Sequence, residues 1–317
     1  MNYTINEVDK VEILTLQDNY IDLISRDNSE VVLRAMPIKD GEMSNSILAE
    51  HGFSSIVTVT RGNSSRSILF DFGYSAFGAA FNADALDVDL KNIEAAALSH
   101  GHMDHVGGLL ELMKRVSKKG LDLVVHPAAF RQPRYLKVGD DLKIKLPSFT
   151  REKVEEAGMH LVETEGPYPL LNGDVLFLGG IPRLTDFEKG APGMIYEENG
   201  EEKWDNIPED SSIVTHVKGK GLVVLSGCAH SGIINTVNYA REISGIHDVF
   251  AVMGGFHLSG ADMASVIVPT IQGLKEIDPA YVIPTHCTGR DAVMQIEKAM
   301  PDRFILNMAG TRLTFSA

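Results

Sequence analysis

The chain is 317 residues long, 44% hydrophobic and 23% charged, a globular composition that excludes a fibrous repeat, a coiled coil or a disordered tail and allows one large domain or two small ones. Twenty-nine Lys and Arg against 43 Asp and Glu leave a formal charge of −14, which repels phosphate backbones in the absence of a concentrated basic patch and speaks against nucleic acid as a partner. No stretch approaches about 18 consecutive apolar residues, so no membrane-spanning helix is expected.

In chain order, the first twenty residues lack both a basic leader and an apolar core, which points to a cytoplasmic protein. Val11–Leu16, Val31–Leu33, Ser55–Thr60 and Ser67–Asp71 are rich in β-branched residues and read as strands, the last two joined by a hairpin turn at Arg61–Ser64. Ile93–Ser99 is a further strand, followed at once by a histidine-rich turn and a helix over Val106–Lys114. Residues 126–210 show the least periodicity. They hold the acidic run Glu197–Glu202, the single tryptophan Trp204, and one expected helix between an N-cap at Thr150 and Gly158. Such a segment predicts a lid or binding insertion within one domain spanning 1–317.

The last third alternates. Strands are expected at Gly221–Ser226, Val249–Met253 and Tyr281–Pro284, and helices at Ile233–Ile243, Met263–Ile277 and Asp291–Met300. A final strand is expected to begin within Arg303–Met308. Strands alternating with helices of this length mean layered α/β packing. His230, His257 and His286 each lie just past one of these strands, where ligand sites of α/β folds collect.

The sharpest pattern is His100-Gly101-His102-Met103-Asp104-His105. Alternate residues of an extended segment point the same way, so His100 and His102 can grip one metal ion. Asp104 and His105, where the chain turns into a helix, can reach a second, and Gly107 and Gly108 let that helix pack closely. Two ions a few ångströms apart activate a shared water as a nucleophile.

The run Ser99–Leu109 resembles the metal-binding signature of the metallo-β-lactamase superfamily, and Asp71-Phe72-Gly73 resembles its Asp-x-Gly step at a strand end. The stretches Ala49–Ser54, Gly180–Arg183, Asp186–Glu188, Gly227–Gly232 and Gly254–Leu258 are similar to one branch, the dihydropterin-6-ylmethyl-(ribofuranosyl)aminobenzene 5′-phosphate synthase-like metallo-hydrolases. The resemblance implies an α/β fold, a four-layer αββα sandwich with the metal site at one edge of the sheets. It implies His100, His102, Asp104 and His105 as ligands, with His286 as the superfamily's last histidine and His230 completing the set. The implied cofactors are two divalent ions, zinc foremost, with manganese or iron as alternatives. Relatives often carry a bridging Asp in mid-chain, but here the corresponding strand ends in Ser226-Gly227-Cys228-Ala229-His230 and has none.

The activity implied is a metallo-hydrolase using activated water on a small phosphorylated or pterin-like molecule. The alternative is a transferase joining a dihydropterin-methyl diphosphate to a ribofuranosyl-aminobenzene phosphate. Asp104 is the candidate proton acceptor and His257 the candidate donor to a leaving group, with a packing role equally open to His257. Arg183, Glu188 and Arg131 are the candidates for holding substrate, since Arg clamps phosphate or carboxylate bidentately. Cys228 reads either as a soft metal ligand or as a small buried thiol, Cys287 as structural, and a disulfide between them is not expected. His51 and His126 read as structural. The expected partner is a small molecule; self-association into a homo-oligomer stays open. A di-iron redox role is disfavoured because relatives of that kind carry a carboxylate where this chain has His102.

Overall fold

The computed structural model describes residues 3–43, 45–139 and 142–317. Two sheets face each other. The first has the order Met159–Glu163, Leu121–Val125, Ile93–Ala97, Ser64–Phe70, Ser54–Arg61, Lys10–Gln17, Arg312–Ser316 and Val32–Leu33. The second runs Tyr168–Leu170, Val175–Phe177, Ser212–Val217, Gly221–Ser226, Val249–Gly255 and Tyr281–Thr285, with Glu7–Val8 also paired to Ser212–Val217.

Strands buried on both faces must be apolar at every position, and side-chain alternation then serves two cores at once. In Gly221–Ser226, Val223 and Leu225 enter the core between the sheets while Leu222 and Val224 meet the outer helices. In Ser64–Phe70, Ile68 and Phe70 point between the sheets and Leu69 points outward. Helices Gly78–Ala85, Leu109–Val116 and Arg151–Glu156 cover the first sheet. Helices Ile233–Ser244, Ala264–Ile277 and Arg290–Ala299 cover the second. The layers are therefore αββα, as expected.

The parallel parts of the sheets set the site. Ser64–Phe70, Ile93–Ala97 and Leu121–Val125 run parallel in one sheet, and Gly221–Ser226, Val249–Gly255 and Tyr281–Thr285 in the other. Helical crossovers bring each chain back, so the carboxyl ends of these strands gather at one edge.

Three expectations change. The helix expected over Val106–Lys114 is two, Met103–Val106 and Leu109–Val116. The break falls at Gly107, where a Cβ would lie 1.6 Å from the Tyr74 carbonyl oxygen, and at Gly108, where it would lie 2.1 Å from that of Phe72. The final strand is not within Arg303–Met308; Phe304 makes one bridge to Val282, and the strand is Arg312–Ser316, on the other sheet. The apolar run Phe304-Ile305-Leu306 looked like a strand because a packed crossover is apolar too. Residues 126–210 are also more regular than expected. Met159–Glu163 joins the first sheet and Tyr168–Leu170 with Val175–Phe177 the second. A separate sheet holds Leu142–Lys145, Arg134–Val138, Met194–Glu198 and Glu201–Trp204.

Glu188, a candidate for holding substrate, caps a helix. Its Oε1 accepts from Ile234 N at 2.8 Å and its Oε2 from Asn235 N at 2.8 Å, in the first turn of Ile233–Ser244. The carboxylate is 4% exposed and complements the positive end of the helix. That helix carries the loop of His230, so the cap fixes a site residue from 42 residues away in sequence.

Two stability outcomes follow. Glu188→Ala should cost about 1–2 kcal/mol through the lost cap, read as a lowered urea midpoint; an unchanged midpoint overturns the capping role. Phe70→Ala, which empties the inter-sheet core beside Phe53, should cost about 3–5 kcal/mol, and a loss below about 1 kcal/mol would contradict that packing.

Candidate metal centre

Both sheets deliver side chains to the shared edge. His100 and His102 follow strand Ile93–Ala97, and Asp104 and His105 occupy the four-residue helix Met103–Val106. His230 follows Gly221–Ser226 and His286 follows Tyr281–Thr285. None of the six is more than 9% exposed.

They fall into two overlapping groups. The imidazole Nε2 atoms of His100 and His230 lie 3.2 Å apart, and the ring of His102 lies 4.6 Å from that of His100 and 4.9 Å from that of His230. On the other side, Asp104 Oδ2 lies 3.1 Å from His286 Nε2 and 3.8 Å from His105 Nε2. Potential ligand atoms of Asp104, His105, Cys228 and His286 lie within 4.8 Å of one another, as do those of His100, Cys228 and His230, and those of His100, His102 and Asp104.

These residues fit a divalent cation. His102 Nε2 and His230 Nδ1 are buried with no hydrogen-bond partner among the described residues, a cost of about 1–3 kcal/mol each that a metal bond would offset for the nitrogen it takes. Burial drives His102 down to about 3, with Arg134 adding to the fall, and it also depresses His100 and His230, helped by the neighbouring imidazoles. Neutral imidazoles with free lone pairs are what zinc requires. Burial alone would raise Asp104, but His105, His286 and His51 hold it well below the usual range.

His105 is oriented by a carboxylate. Its Nδ1 donates to Asp71 Oδ2 at 2.6 Å, which leaves Nε2 facing the Cys228 sulfur at 3.1 Å. Burial would lower this imidazole, but Asp71 and Asp104 lift it to about 9. A carboxylate that fixes a ligand's tautomer is a recurring device in metal sites. His286 is clamped from the first sheet, its backbone N donating to Asp18 Oδ1 at 2.9 Å and its carbonyl accepting from Asn19 Nδ2 at 3.0 Å. His257 and His286 both have left-handed backbone, φ +46° and +44°; strain of this kind costs about 1–3 kcal/mol and clusters at functional sites.

The remaining candidates divide. His257 packs its ring 4.2 Å from that of His230, beside the buried histidine cluster. Arg183 is turned inward: its Nη2 donates to the carbonyls of Asn206 at 2.5 Å and His230 at 3.3 Å. Arg131 pairs with Asp205 at 2.8 Å and lies 4.2 Å over the Tyr196 ring. Both arginines therefore brace the wall of the site. Behind His102, Arg134 pairs with Asp205 at 2.8 Å and Glu209 at 2.5 Å. His126 accepts from Ala128 N at 3.1 Å and caps the turn Pro127–Phe130.

Sequence reasoning missed His51. Its Nε2 lies 3.5 Å from Asp104 Oδ2, its ring 4.7 Å from that of His286, and its side chain is 59% exposed. Only its place in a branch-like motif pointed to it. A cavity of about 410 Å³ also opens beside His286, lined by Asn19, Tyr20, Arg290, Met294 and Asn307 among others.

Comparison with known proteins agrees with this geometry. Residues 50–193 match the family model of the metallo-beta-lactamase superfamily. The chain is 31% identical to the 7,8-dihydropterin-6-methyl-4-(beta-D-ribofuranosyl)-aminobenzene-5'-phosphate synthase of Methanocaldococcus jannaschii, covering 99% of this chain and 100% of that one. An uncharacterised protein of the same organism is 27% identical over 82% of this chain and 92% of its own. The crystal structure of a metal-dependent hydrolase of the beta-lactamase superfamily superposes with TM-score 0.73 at 25% identity, over 97% of this chain and 100% of the other. The paired sheets, the clustered histidines and a full-length relative agree, and the chain belongs to the metallo-β-lactamase superfamily.

Proposed function

We propose that this chain is a metal-dependent hydrolase holding two divalent ions, zinc foremost, and acting on a small phosphorylated or pterin-like heterocyclic molecule. The observation that carries the reading is the meeting of His100, His102 and His230 with Asp104, His105 and His286 in one buried cluster. The first three would hold one ion and the second three the other. Divalent ions in such a setting act as Lewis acids that bring the pKa of water towards neutrality and offset negative charge on substrate oxygens.

The chain's own groups do the rest. Asp104 accepts a proton from the attacking water at Oδ2, with His51 and His286 beside that oxygen. His257 supplies a proton to the leaving group from the side of His230. The cavity beside His286 offers Tyr20 for a flat ring and Arg290 for a phosphate. Tyr281–Thr285 and its neighbours fix the ligands on strand ends, which keeps the reacting groups within productive reach.

A second reading rests on the full-length relative, which is named as a synthase. In it the arylamine partner attacks the pterin-bearing methylene carbon, the carbon–oxygen bond to diphosphate breaks, and diphosphate leaves. The same site would neutralise the departing diphosphate in place of activating water.

Elemental analysis of protein prepared without chelator should find about two divalent ions per chain; essentially none, even after adding zinc or manganese, overturns both readings. Metal-loaded protein should hydrolyse a member of a panel of phosphodiesters, lactones and pterin diphosphates. Diphosphate release that requires the arylamine partner would instead establish the second reading. Asp104→Asn should lower turnover by about a thousandfold, and retained activity would rule Asp104 out as the proton acceptor.

A further inference from the structure

We infer that Cys228 is the bridging ligand of this centre, a thiolate shared by the ion held by His100, His102 and His230 and the ion held by Asp104, His105 and His286. The inference rests on the two-ion reading above and adds the residue that would join its halves. Cys228 belongs to both ligand groups: its sulfur lies within 4.8 Å of the ligand atoms of Asp104, His105 and His286, and within 4.8 Å of those of His100 and His230. A thiol buried only for packing has no reason to face five potential metal ligands.

The aim of its neighbours is equally specific. His105 has committed Nδ1 to Asp71, so Nε2, the nitrogen left for a metal, points at the Cys228 sulfur from 3.1 Å. The loop that carries the thiol cannot drift. A Cβ at Gly227 would lie 2.1 Å from Ser99 Oγ, and one at Gly255 would lie 3.2 Å from the Cys228 Cα. Gly255 N also donates to the Gly227 carbonyl at 2.9 Å. Residue 228 is thus locked between the strand ends of both sheets and is 2% exposed.

Charge gives an independent reason. Two divalent ions bring four positive charges into a buried site whose other six ligands supply one negative charge, that of Asp104. A low-dielectric interior does not tolerate that imbalance. Coordination breaks the S–H bond, sends the proton to solvent and puts a second anion where both ions can share it. No electron moves. Thiolate also favours zinc over magnesium or calcium, which prefer oxygen ligands.

The test loads wild-type protein with cobalt(II) and records ions per chain and the near-ultraviolet sulfur-to-cobalt charge-transfer band. Two bound ions with the band present are expected in wild type, with loss of the band in Cys228→Ser and its retention in Cys287→Ser. Cys228→Asp covers the case in which the serine variant fails to fold: a carboxylate in that position should restore two-ion binding without the band. Persistence of the band in Cys228→Ser or Cys228→Asp, or its loss only in Cys287→Ser, overturns the assignment. Two ions without a band in wild type overturn it while leaving the two-ion reading intact; no bound ions would remove both.

Discussion

The buried carboxylate of Asp71 organises the edge of the first sheet against which the second sheet's loop closes. It sits at the end of strand Ser64–Phe70 with both oxygens engaged. Oδ1 accepts from Ser99 N at 2.7 Å, and Oδ2 accepts from Ser99 Oγ at 2.7 Å and His105 Nδ1 at 2.6 Å. Its carbonyl accepts from Ser54 Oγ at 2.9 Å on the adjacent strand. A Cβ added at Gly227, in the second sheet's loop, would come within 2.7 Å of the same carboxylate. One side chain therefore sets the start of the His100–His105 turn, the tautomer of His105 and the closeness of the loop bearing Cys228 and His230. A buried anion is tolerated only with such complete pairing.

Around that anchor the protein holds groups that an ordinary core would exclude. Five imidazoles and a carboxylate meet between sheets that are otherwise apolar, and the left-handed backbones of His257 and His286 add strain. The surroundings resist relaxation from every side. Asp18 and Asn19 hold the His286 backbone, Glu188 holds the helix behind His230, and Arg183 holds the His230 carbonyl. The pairs of Arg134 with Asp205 and Glu209 close the wall behind His102. Breaking one partner of a buried pair leaves the other uncompensated, which makes this wall stiff as well as charged. Rigid supports of this kind keep the clustered side chains in place.

The acidic chain and the site are compatible for the same reason. The chain carries a net charge of −14, while Arg131 and Arg134 are taken up by the buried carboxylates of Asp205 and Glu209 and Arg183 by the carbonyls of Asn206 and His230. Arg290 and Tyr20 line the cavity beside His286. Arg131, Arg183 and Glu188 drew notice because charged residues in an irregular stretch suggest ligand contacts. Their partners, Asp205, the His230 carbonyl and two helix N–H groups, lie 46–74 residues away in sequence.

Local rules made much of this protein legible from its residues. Period-two apolar runs and capping residues such as Thr150 act over a few positions, so most strands and helices lay close to where they were expected. The signature from His100 to His105 is likewise contained in six residues, and its chemistry follows from spacing. Tertiary structure alone decided which distant side chains share an atom's surroundings. It split the Val106–Lys114 helix against the carbonyls of Phe72 and Tyr74, carried the last strand across to the other sheet, and brought His51 to Asp104. It also set the Cys228 sulfur among potential metal-ligand atoms from both sheets, a position that depends on how two faces close rather than on any neighbour in the chain.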